Sequence, residues 1–358
     1  MQINFKDYDL ENFLVKEDEF CGIPSRLIQP SHLGTKFTQK NKILRSSIWS
    51  LDGKLLSASF PKFVNFLENQ ENFPVPTSLN GCKIVDKIDG STCIIDCIDC
   101  QISMRSRGTS TYLTLENFKD FDYCLSKYPK IKEWIINHPN HSLLMEITTP
   151  NMKIVLSYGD EPDFWLIGCI NKDDYSLISQ PELDNLSNEI GVKRPEYYTF
   201  SSLDTLLESI KAIKGKEGCC LYSNGDTEIH KIKGEFYLKL HRMKSELSSC
   251  EKVLDVWMSQ NKPTYEEFYN FILNTFDFEL AEYCKDNIIK IIVAYDKVND
   301  NISRMREVVT PLLSLSRKDS ALIILESYKY HSSYLFKLLS GKELDDRDIR
   351  KLLISFLE

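Results

Sequence analysis

Short apolar runs separated by turn residues occupy most of the chain between residues 82 and 241. Such runs are typical of strands, whereas apolar residues every three or four positions are typical of helices. Helical spacing occurs at 115–137 and at 203–214. This mixture predicts an α+β fold with antiparallel sheets. The predicted strands are 93–98, 102–105, 143–147, 154–158, 164–170, 218–222 and 236–241.

The segment before these runs has a weaker pattern. Residues up to about Lys40 are expected to be irregular, because turn residues recur and no period is evident. The next segment, 44–57, predicts a β-hairpin, since Asp52-Gly53 lies between two apolar runs. A lysine among aromatic residues, Lys62, follows the hairpin.

The pattern changes again near residue 244. Glycine is absent from there until Gly341, and apolar residues recur at helical spacing. Thr264 and Glu267 have the spacing of a helix-starting capping box, and Gly341 suits the end of a helix. We therefore predict an α+β domain at residues 1–243, followed by an all-α C-terminal domain at residues 244–358.

Composition narrows the class of protein. The 358 residues carry a net charge of −8, and no stretch approaches the apolar length of a membrane span. We therefore expect a soluble protein without a membrane partner, located in the cytoplasm, or in the host cytoplasm if the source is viral. The negative charge argues against a broad polyanion-binding surface, but a local cluster of cations can still bind phosphates.

The eleven cysteines are scattered and odd in number, which favours reduced thiols over disulfides. Cys93, Cys97 and Cys100 include one Cys-x-x-Cys pair of the kind that zinc sites use. No second pair follows, and the alternating apolar pattern favours strand positions for these residues instead.

A candidate nucleophile lies at the end of an apolar run, in Lys87-Ile88-Asp89-Gly90-Ser91. A lysine at the mouth of a turn, followed by an acid and by a glycine that permits close backbone approach, is a candidate for covalent catalysis. On this pentapeptide alone, an ordinary solvated lysine is the commoner interpretation.

Charged residues on downstream strands strengthen the catalytic interpretation. Arg107 follows a predicted strand, Glu146 lies inside an apolar one, and Glu217-Gly218 opens another. Lys231 and Lys233 alternate, so both point to the same face of a strand. Each feature alone also fits a solvated face or a structural ion pair, but the set together predicts a nucleotide site.

These residue types suit nucleotidyl transfer. A lysine amine must be neutral to attack phosphorus, and we expect Lys231 and Lys233 to lower the pKa of Lys87 by like-charge repulsion. Glu217 is a candidate ligand for magnesium, and Glu146 a candidate acceptor for ribose hydroxyls. Arg45 and Lys62 would orient the pyrophosphate leaving group.

The pentapeptide resembles motif I of the covalent nucleotidyltransferases, which include RNA ligases, DNA ligases and mRNA capping enzymes. Three further segments resemble the RNA ligase 1 branch of that superfamily, which includes the tRNA-repair ligase of T-even phages. The resemblance extends over about residues 40–245. The segments that carry it are 44–63, 146–158 and, most closely, 231–241.

The resemblance implies that Lys87 is the residue that ATP adenylylates. It implies a divalent metal, Mg²⁺ or Mn²⁺, at Glu217. Two departures from the branch are evident: Arg107 replaces its usual lysine, and Ser46 replaces the glycine that usually follows Arg45. The residues implied to contact the nucleotide are Arg45, Lys62, Asp89, Gly90, Arg107, Glu146, Lys231, Lys233 and Tyr237.

The predicted function is that of an ATP-dependent RNA ligase, expected to act as a monomer. Its partner would be RNA with 5′-phosphate and 3′-hydroxyl ends, with a broken tRNA as one candidate, and the helical domain would supply RNA specificity. A DNA ligase and a GTP-dependent capping enzyme are alternatives with the same chemistry. A non-catalytic RNA-binding protein on the same fold is the alternative from another class.

Overall fold

The structure is a computed structural model that describes residues 3–31, 34–150, 154–247, 249–275 and 278–357. The chain divides into two compact units, Met1–Lys239 and Leu240–Glu358. Residues 151–153, which belong to the segment that resembles the RNA ligase 1 branch, lie outside the described residues.

The strands of the first unit form three sheets, two of four strands and one of five. The strands are β1 (Phe13–Phe20), β2 (Ile23–Pro30), β3 (Ser47–Ser50), β4 (Leu55–Ser57), β5 (Val64–Asn65), β6 (Lys83–Asp86), β7 (Ser91–Ile98), β8 (Gln101–Arg105), β9 (His141–Thr148), β10 (Asp163–Asn171), β11 (Tyr197–Tyr198), β12 (Gly218–Ser223) and β13 (Glu228–Lys233).

The sheet orders are β1-β2-β3-β4, β10-β9-β7-β8 and β11-β6-β12-β13-β5. Strand pairs are antiparallel except β13 with β5, which is parallel. One apolar cluster, with members such as Trp49, Leu144 and Tyr222, takes side chains from all three sheets. The sheets therefore share a core, and their polar edges are available for a site.

Four helices complete the first unit. They are α1 (Phe118–Lys127), α2 (Lys130–Asn137), α3 (Gln180–Ile190) and α4 (Leu203–Ala212). The first three pack on the β10-β9-β7-β8 sheet, and α4 packs on the β11-β6-β12-β13-β5 sheet. The predicted helical region at 115–137 is interrupted at Pro129, which follows the end of α1.

A helix, α5 (Glu235–Glu246), spans the division between the units. The second unit is helical, with a core that includes Trp257 and Phe268. The predicted capping box is confirmed, because Thr264 N donates to Glu267 Oε2 and Glu267 N donates to Thr264 Oγ1, at 2.8 and 3.3 Å. Its helices are α6 (Cys250–Ser259), α7 (Tyr265–Thr275), α8 (Phe278–Leu312), α9 (Arg317–Ser327), α10 (Ser332–Leu339) and α11 (Asp346–Leu357).

The predicted α+β class, with antiparallel sheets and C-terminal helices, is confirmed at this level. The predicted hairpin at 44–57 is confirmed as β3 and β4, which turn at Gly53 with φ 103°. Gly341 follows α10 with φ 73° and ends it as predicted. Within the described ranges, no helix combines the length and the apolar character that crossing a membrane requires.

Three predictions of local structure were wrong. The first concerns the N-terminal segment, where β1 and β2 form a hairpin that turns at Cys21-Gly22, both with positive φ. β1 is an edge strand in which half of the residues are charged and the apolar Leu14 and Val15 are exposed, so it shows no alternation of apolar and polar residues.

The second concerns 154–158, which do not form a strand. The backbone N–H groups of Val155 and Leu156 donate to the carboxylate of Asp89 instead of to a neighbouring strand. The third concerns 236–241, which belong to α5. Tyr237 and Leu240 are the buried residues there, three positions apart, while Leu238 is 43% exposed, which is a helical pattern.

Candidate active site

Lys87 is the first residue after β6, at the edge of the five-stranded sheet. Its backbone N–H donates to the carbonyl of Gly218, the first residue of the adjacent strand β12, at 3.0 Å. Its Nζ donates to Glu217 Oε2 at 2.8 Å. Both contacts hold the lysine against the start of β12.

Glu217 links two lysines. Its carboxylate is 2% exposed, and Oε1 lies 2.8 Å from Lys233 Nζ while Oε2 binds Lys87. The glycine after it is required, because a Cβ at Gly218 would lie 2.0 Å from the carbonyl oxygen of Ile232 on β13. This close approach of β13 brings Lys233 and Lys87 to one carboxylate.

The pKa of Lys87 is shifted in the direction opposite to the prediction. Burial alone would lower the pKa of Lys87, but the negative charges of Glu217 and Glu146 outweigh burial and raise it. The expected repulsion from Lys231 and Lys233 does not prevail, and Lys233 already has a carboxylate partner in Glu217. Lys87 is therefore protonated at neutral pH in the protein without nucleotide.

A second group of cations lies beside the first. The guanidinium of Arg45 is 5.3 Å from the ring centre of Phe63, and Lys231 Nζ is 5.8 Å from the same ring. Burial and then the charge of Lys62 lower the pKa of Lys231 to about 8. Burial and the charge of Arg107 lower the pKa of Arg45 to about 10.

Lys62 belongs to the same group. Its Nζ lies 5.4 Å from the ring centre of Phe37. Burial and the charge of Arg45 lower the pKa of Lys62. Four cations, Arg45, Lys62, Arg107 and Lys231, thus repel one another at one place, which is an arrangement suited to a multiply charged anion.

Glu146 lies on β9 opposite Thr92 of β7, whose hydroxyl donates to Oε2 at 3.3 Å. The side chain is buried, and burial raises the pKa of Glu146 to about 7, even though Lys87 and Arg107 act in the opposite direction. This carboxylate therefore faces both the nucleophile candidate and the cation group.

Asp89 and Gly90 shape the loop that follows Lys87. Asp89 Oδ2 accepts the N–H groups of Val155 and Leu156 at 2.8 and 2.9 Å, and Oδ1 accepts the hydroxyl of Tyr237 at 2.7 Å. A Cβ at Gly90 would lie 2.4 Å from the carbonyl oxygen of Ile147. The sequence interpretation placed a ligand against this glycine, whereas the structure places strand β9 there.

The predicted site residues are thus brought into one connected cluster. Tyr237 lies on α5 rather than on a strand. Its hydroxyl donates to Asp89, and Lys233 Nζ lies 5.1 Å from the centre of the Tyr237 ring. The sequence interpretation missed Phe63, Thr92 and Tyr158, the last of which accepts the backbone N–H of Asp89 at 2.8 Å. Phe63 had a detectable signal in the aromatic residues around Lys62, while the other two had none.

No family model matches the chain. A protein of Autographa californica nuclear polyhedrosis virus, provisionally named a bifunctional polynucleotide kinase/RNA ligase, is 24% identical over 221 residues. The match covers 56% of this chain and 30% of the viral protein, so the chain spans about a third of that relative's length.

Two solved structures match the chain with TM-scores below 0.5. An archaeal ATP-dependent RNA ligase has a TM-score of 0.48 at 10% identity, with 92% of this chain and 93% of that chain covered. A mutant RNA ligase of Naegleria gruberi, solved with ATP and Mn, has a TM-score of 0.42 at 16% identity, with 67% of this chain and 83% of that chain covered.

The donor set near Lys87 fits a hard divalent cation bound together with a nucleotide. Magnesium commonly takes one or two protein carboxylates and completes its shell with phosphate oxygens and water. Glu217 and Glu146 both act on the charge of Lys87, and both are oxygen donors. No group of three or more His, Cys, Asp or Glu side chains suited to a metal occurs among the described residues, so a protein-only cage is not the arrangement seen there.

Proposed function

We propose that the chain is an ATP-dependent RNA ligase of the RNA ligase 1 branch that acts through a lysyl-AMP intermediate on Lys87. One observation carries the proposal: Lys87 and Lys233 share the buried carboxylate of Glu217, beside four cations that repel one another. The similarity to the viral protein supports it.

In the first step, the lone pair of Lys87 Nζ forms a bond to the α-phosphorus of ATP. The bond from that phosphorus to its bridging oxygen breaks and pyrophosphate leaves. The ammonium loses two protons in all, one to Glu217 Oε2 and one to solvent, and becomes a phosphoramidate N–H. Arg45 and Lys62 stabilise charge on the leaving group, and Lys231 and Lys233 stabilise charge on the α-phosphate, as electrostatic groups do in phosphoryl transfer. Glu146 is placed to accept hydrogen bonds from the ribose.

The raised pKa of Lys87 sets a condition on this step. A protonated amine has no lone pair to donate, so the negative charge of Glu217 must be compensated before attack. Glu217 would hold a divalent metal together with the phosphates, and that metal would supply the compensation and neutralise charge that develops on the phosphates. Glu217 Oε2, at 2.8 Å from Nζ, is positioned to receive a proton from the amine.

Two further steps complete the reaction. A 5′-phosphate oxygen of RNA attacks the α-phosphorus, the phosphorus–nitrogen bond breaks, and Lys87 regains its proton. The 3′-hydroxyl oxygen of the other RNA end then attacks the 5′-phosphate, AMP leaves, and the hydroxyl proton is lost. The net result is one phosphodiester bond for one ATP converted to AMP and pyrophosphate.

We assign the nucleotidyl transfer to residues 1–243 and RNA specificity to the helical residues 244–358. RNA specificity commonly rests on shape and on exposed ends. We propose that the protein acts as a monomer and repairs broken RNA, including tRNA.

The test is intact-protein mass spectrometry after incubation with ATP or GTP and magnesium. The wild type is expected to gain the mass of one AMP from ATP only, and Lys87→Ala to gain nothing. Lys83→Ala, which removes an exposed lysine from the same strand, is the matched control and should behave as the wild type.

The substrate is tested with 5′-phosphorylated single-stranded RNA and with nicked DNA. Sealing of RNA ends would support the proposal, and sealing of nicked DNA alone would overturn it in favour of a DNA ligase. A GMP adduct would indicate capping chemistry. Absence of any adduct, with RNA still bound, would indicate a non-catalytic RNA-binding protein.

A further inference from the structure

Arg105, the last residue of β8, is fully buried although it is a cation. Its guanidinium donates to Ser57 Oγ at 2.7 Å through Nε, to the carbonyl of Ser106 at 3.1 Å through Nη1, and to the carbonyl of Ser46 at 2.8 Å through Nη2. A buried guanidinium with this many acceptors holds its neighbours in a fixed geometry.

The charge of Arg105 is compensated through Ser57. The Ser57 hydroxyl donates to Asp96 Oδ2 at 2.5 Å, and Asp96 is itself fully buried. At its other oxygen, Asp96 accepts the Ser142 hydroxyl at 2.5 Å and lies 3.5 Å from Lys172 Nζ. The guanidinium is therefore part of a satisfied polar network inside the core and has no need of a ligand of its own.

Arg105 also donates to the carbonyl of Ser57 at 3.5 Å, and the other two carbonyls that it contacts belong to residues next to two site arginines. Ser46 follows Arg45, and Ser106 precedes Arg107. Neither arginine lies in a strand: Arg45 precedes β3 of one sheet and Arg107 follows β8 of another. The charge of Arg107 contributes to lowering the pKa of Arg45. One buried side chain thus connects the backbones beside two cations that repel each other.

The backbone at Ser46 strengthens the argument. Its φ is +59°, in the left-handed region that residues other than glycine seldom adopt. The hydrogen bond from Arg105 to the Ser46 carbonyl stabilises this backbone conformation. The conformation in turn determines the direction in which the Arg45 side chain projects from the backbone. Ser46 is also the position at which the RNA ligase 1 branch usually carries glycine.

We propose that Arg105 is a positioning residue: it holds Arg45 and Arg107 side by side, so that one polyphosphate can bind both, without contacting the nucleotide itself. This inference rests on the proposed function, because it takes the triphosphate of ATP as the anion. It predicts that Arg105 acts on nucleotide affinity through the backbones of Ser46 and Ser106.

The test uses the full chain in the Lys87→Ala background, where ATP binding is measured by calorimetry without chemistry. Arg105→Met is expected to weaken ATP binding about tenfold or more, since two charge-assisted contacts to the backbone are lost. Adding Ser46→Gly to Arg105→Met should restore part of the ATP affinity, because glycine adopts the left-handed backbone conformation without a stabilising hydrogen bond. If Arg105→Met does not fold, Arg105→Lys, which keeps the charge but lacks the fork of donors, takes its place.

Lys172→Met is the matched control, because it removes the other buried cation of the same network but touches neither carbonyl. It should lower thermal stability and leave ATP affinity unchanged. Unchanged ATP binding in Arg105→Met, an equal loss in Lys172→Met, or no recovery with Ser46→Gly would overturn the inference alone. No ATP binding by Lys87→Ala itself would remove the proposed function as well.

Discussion

The candidate site has two halves, and the pKa of a lysine is shifted in opposite directions in them. The carboxylate half consists of Lys87, Glu217 and Glu146, and the two carboxylates outweigh burial and raise the pKa of Lys87. The cation half consists of Arg45, Lys62, Arg107 and Lys231, and there burial and neighbouring cations lower the pKa of Lys231 to about 8. Both lysines lie on or beside the same five-stranded sheet. The difference shows that the charge neighbours, rather than the secondary structure, decide the protonation state.

This contrast has a functional meaning under the proposed function. The cation half is an arrangement of mutually repelling charges, which a bound polyphosphate would relieve. In the carboxylate half, Lys87 remains protonated until a ligand changes the charge around Glu217. Nucleotide affinity and nucleophile activation are therefore expected to respond to different substitutions.

The largest effect is expected from Glu217→Gln. The substitution keeps the shape of the side chain but removes the carboxylate proposed to accept the proton of Lys87 and to hold the metal. We therefore expect lysyl-AMP formation to slow roughly 10²–10³-fold. Because the charge of that carboxylate is what raises the pKa of Lys87, the remaining rate should depend less on pH between about 7 and 9. Single-turnover kinetics with labelled ATP measure both quantities.

Glu228→Gln is the control for this substitution, since it removes the partner of Lys42, at 3.2 Å, away from the nucleophile. It should leave the rate of adduct formation within a factor of about two. An unchanged rate in Glu217→Gln would contradict the division of the site into two halves.

A smaller effect is expected on stability from Glu146→Gln. The pKa of Glu146 is raised to about 7, so the folded chain holds a proton that the unfolded chain has lost between pH 4.5 and 7. Wild-type stability should therefore fall as pH rises through that window. Glutamine resembles the neutral acid, and the variant should gain up to about 3 kcal/mol relative to wild type between pH 4.5 and pH 8.

Denaturant unfolding at several pH values checks this expectation. Glu133→Gln, on the exposed face of α2, provides the comparison and should show no such gain. A relative stability of Glu146→Gln that is flat with pH would mean that the carboxylate is ionised throughout the range.

The smallest effect is a difference in reactivity between the two lysines. At pH 8 and limiting acetic anhydride, Lys231 should be acetylated about tenfold or more faster than Lys87, because only neutral amines react. Peptide mass spectrometry measures both sites, with exposed Lys83 as reference. Faster labelling of Lys87 would reverse the assignment of the halves.

Residue types and their spacing selected charged groups that lie near one another in the structure, and their roles in a nucleotide site stay a prediction. The alternation of Lys231 and Lys233 predicted that both point to one strand face, and Glu217-Gly218 was predicted to open a strand, which is β12. The close approach of Ile232 to Gly218, at 2.0 Å from a Cβ there, had no signal in the sequence. The direction of the Lys87 pKa shift could not be predicted, because it depends on which carboxylate binds which lysine. That pairing is a property of distances in three dimensions.

The missed elements have similar explanations. Residues 236–241 alternate in sequence like a strand, yet tertiary burial of Tyr237 and Leu240 selects the helix. The edge strand β1 exposes charged side chains on both faces, so its pairing with β2 leaves little pattern in the sequence. The burial of Arg105 could not be predicted, because burial of a charge depends on partners that are distant along the chain.

Asp89 has a consequence for measuring motion near the nucleophile. Its carboxylate accepts the amides of Val155 and Leu156, which are in no strand or helix. In hydrogen–deuterium exchange, amides exchange when their hydrogen bonds open. The exchange rates of these two amides therefore report the opening of the segment at Asp89, two residues after Lys87. The measurement needs no label in the site.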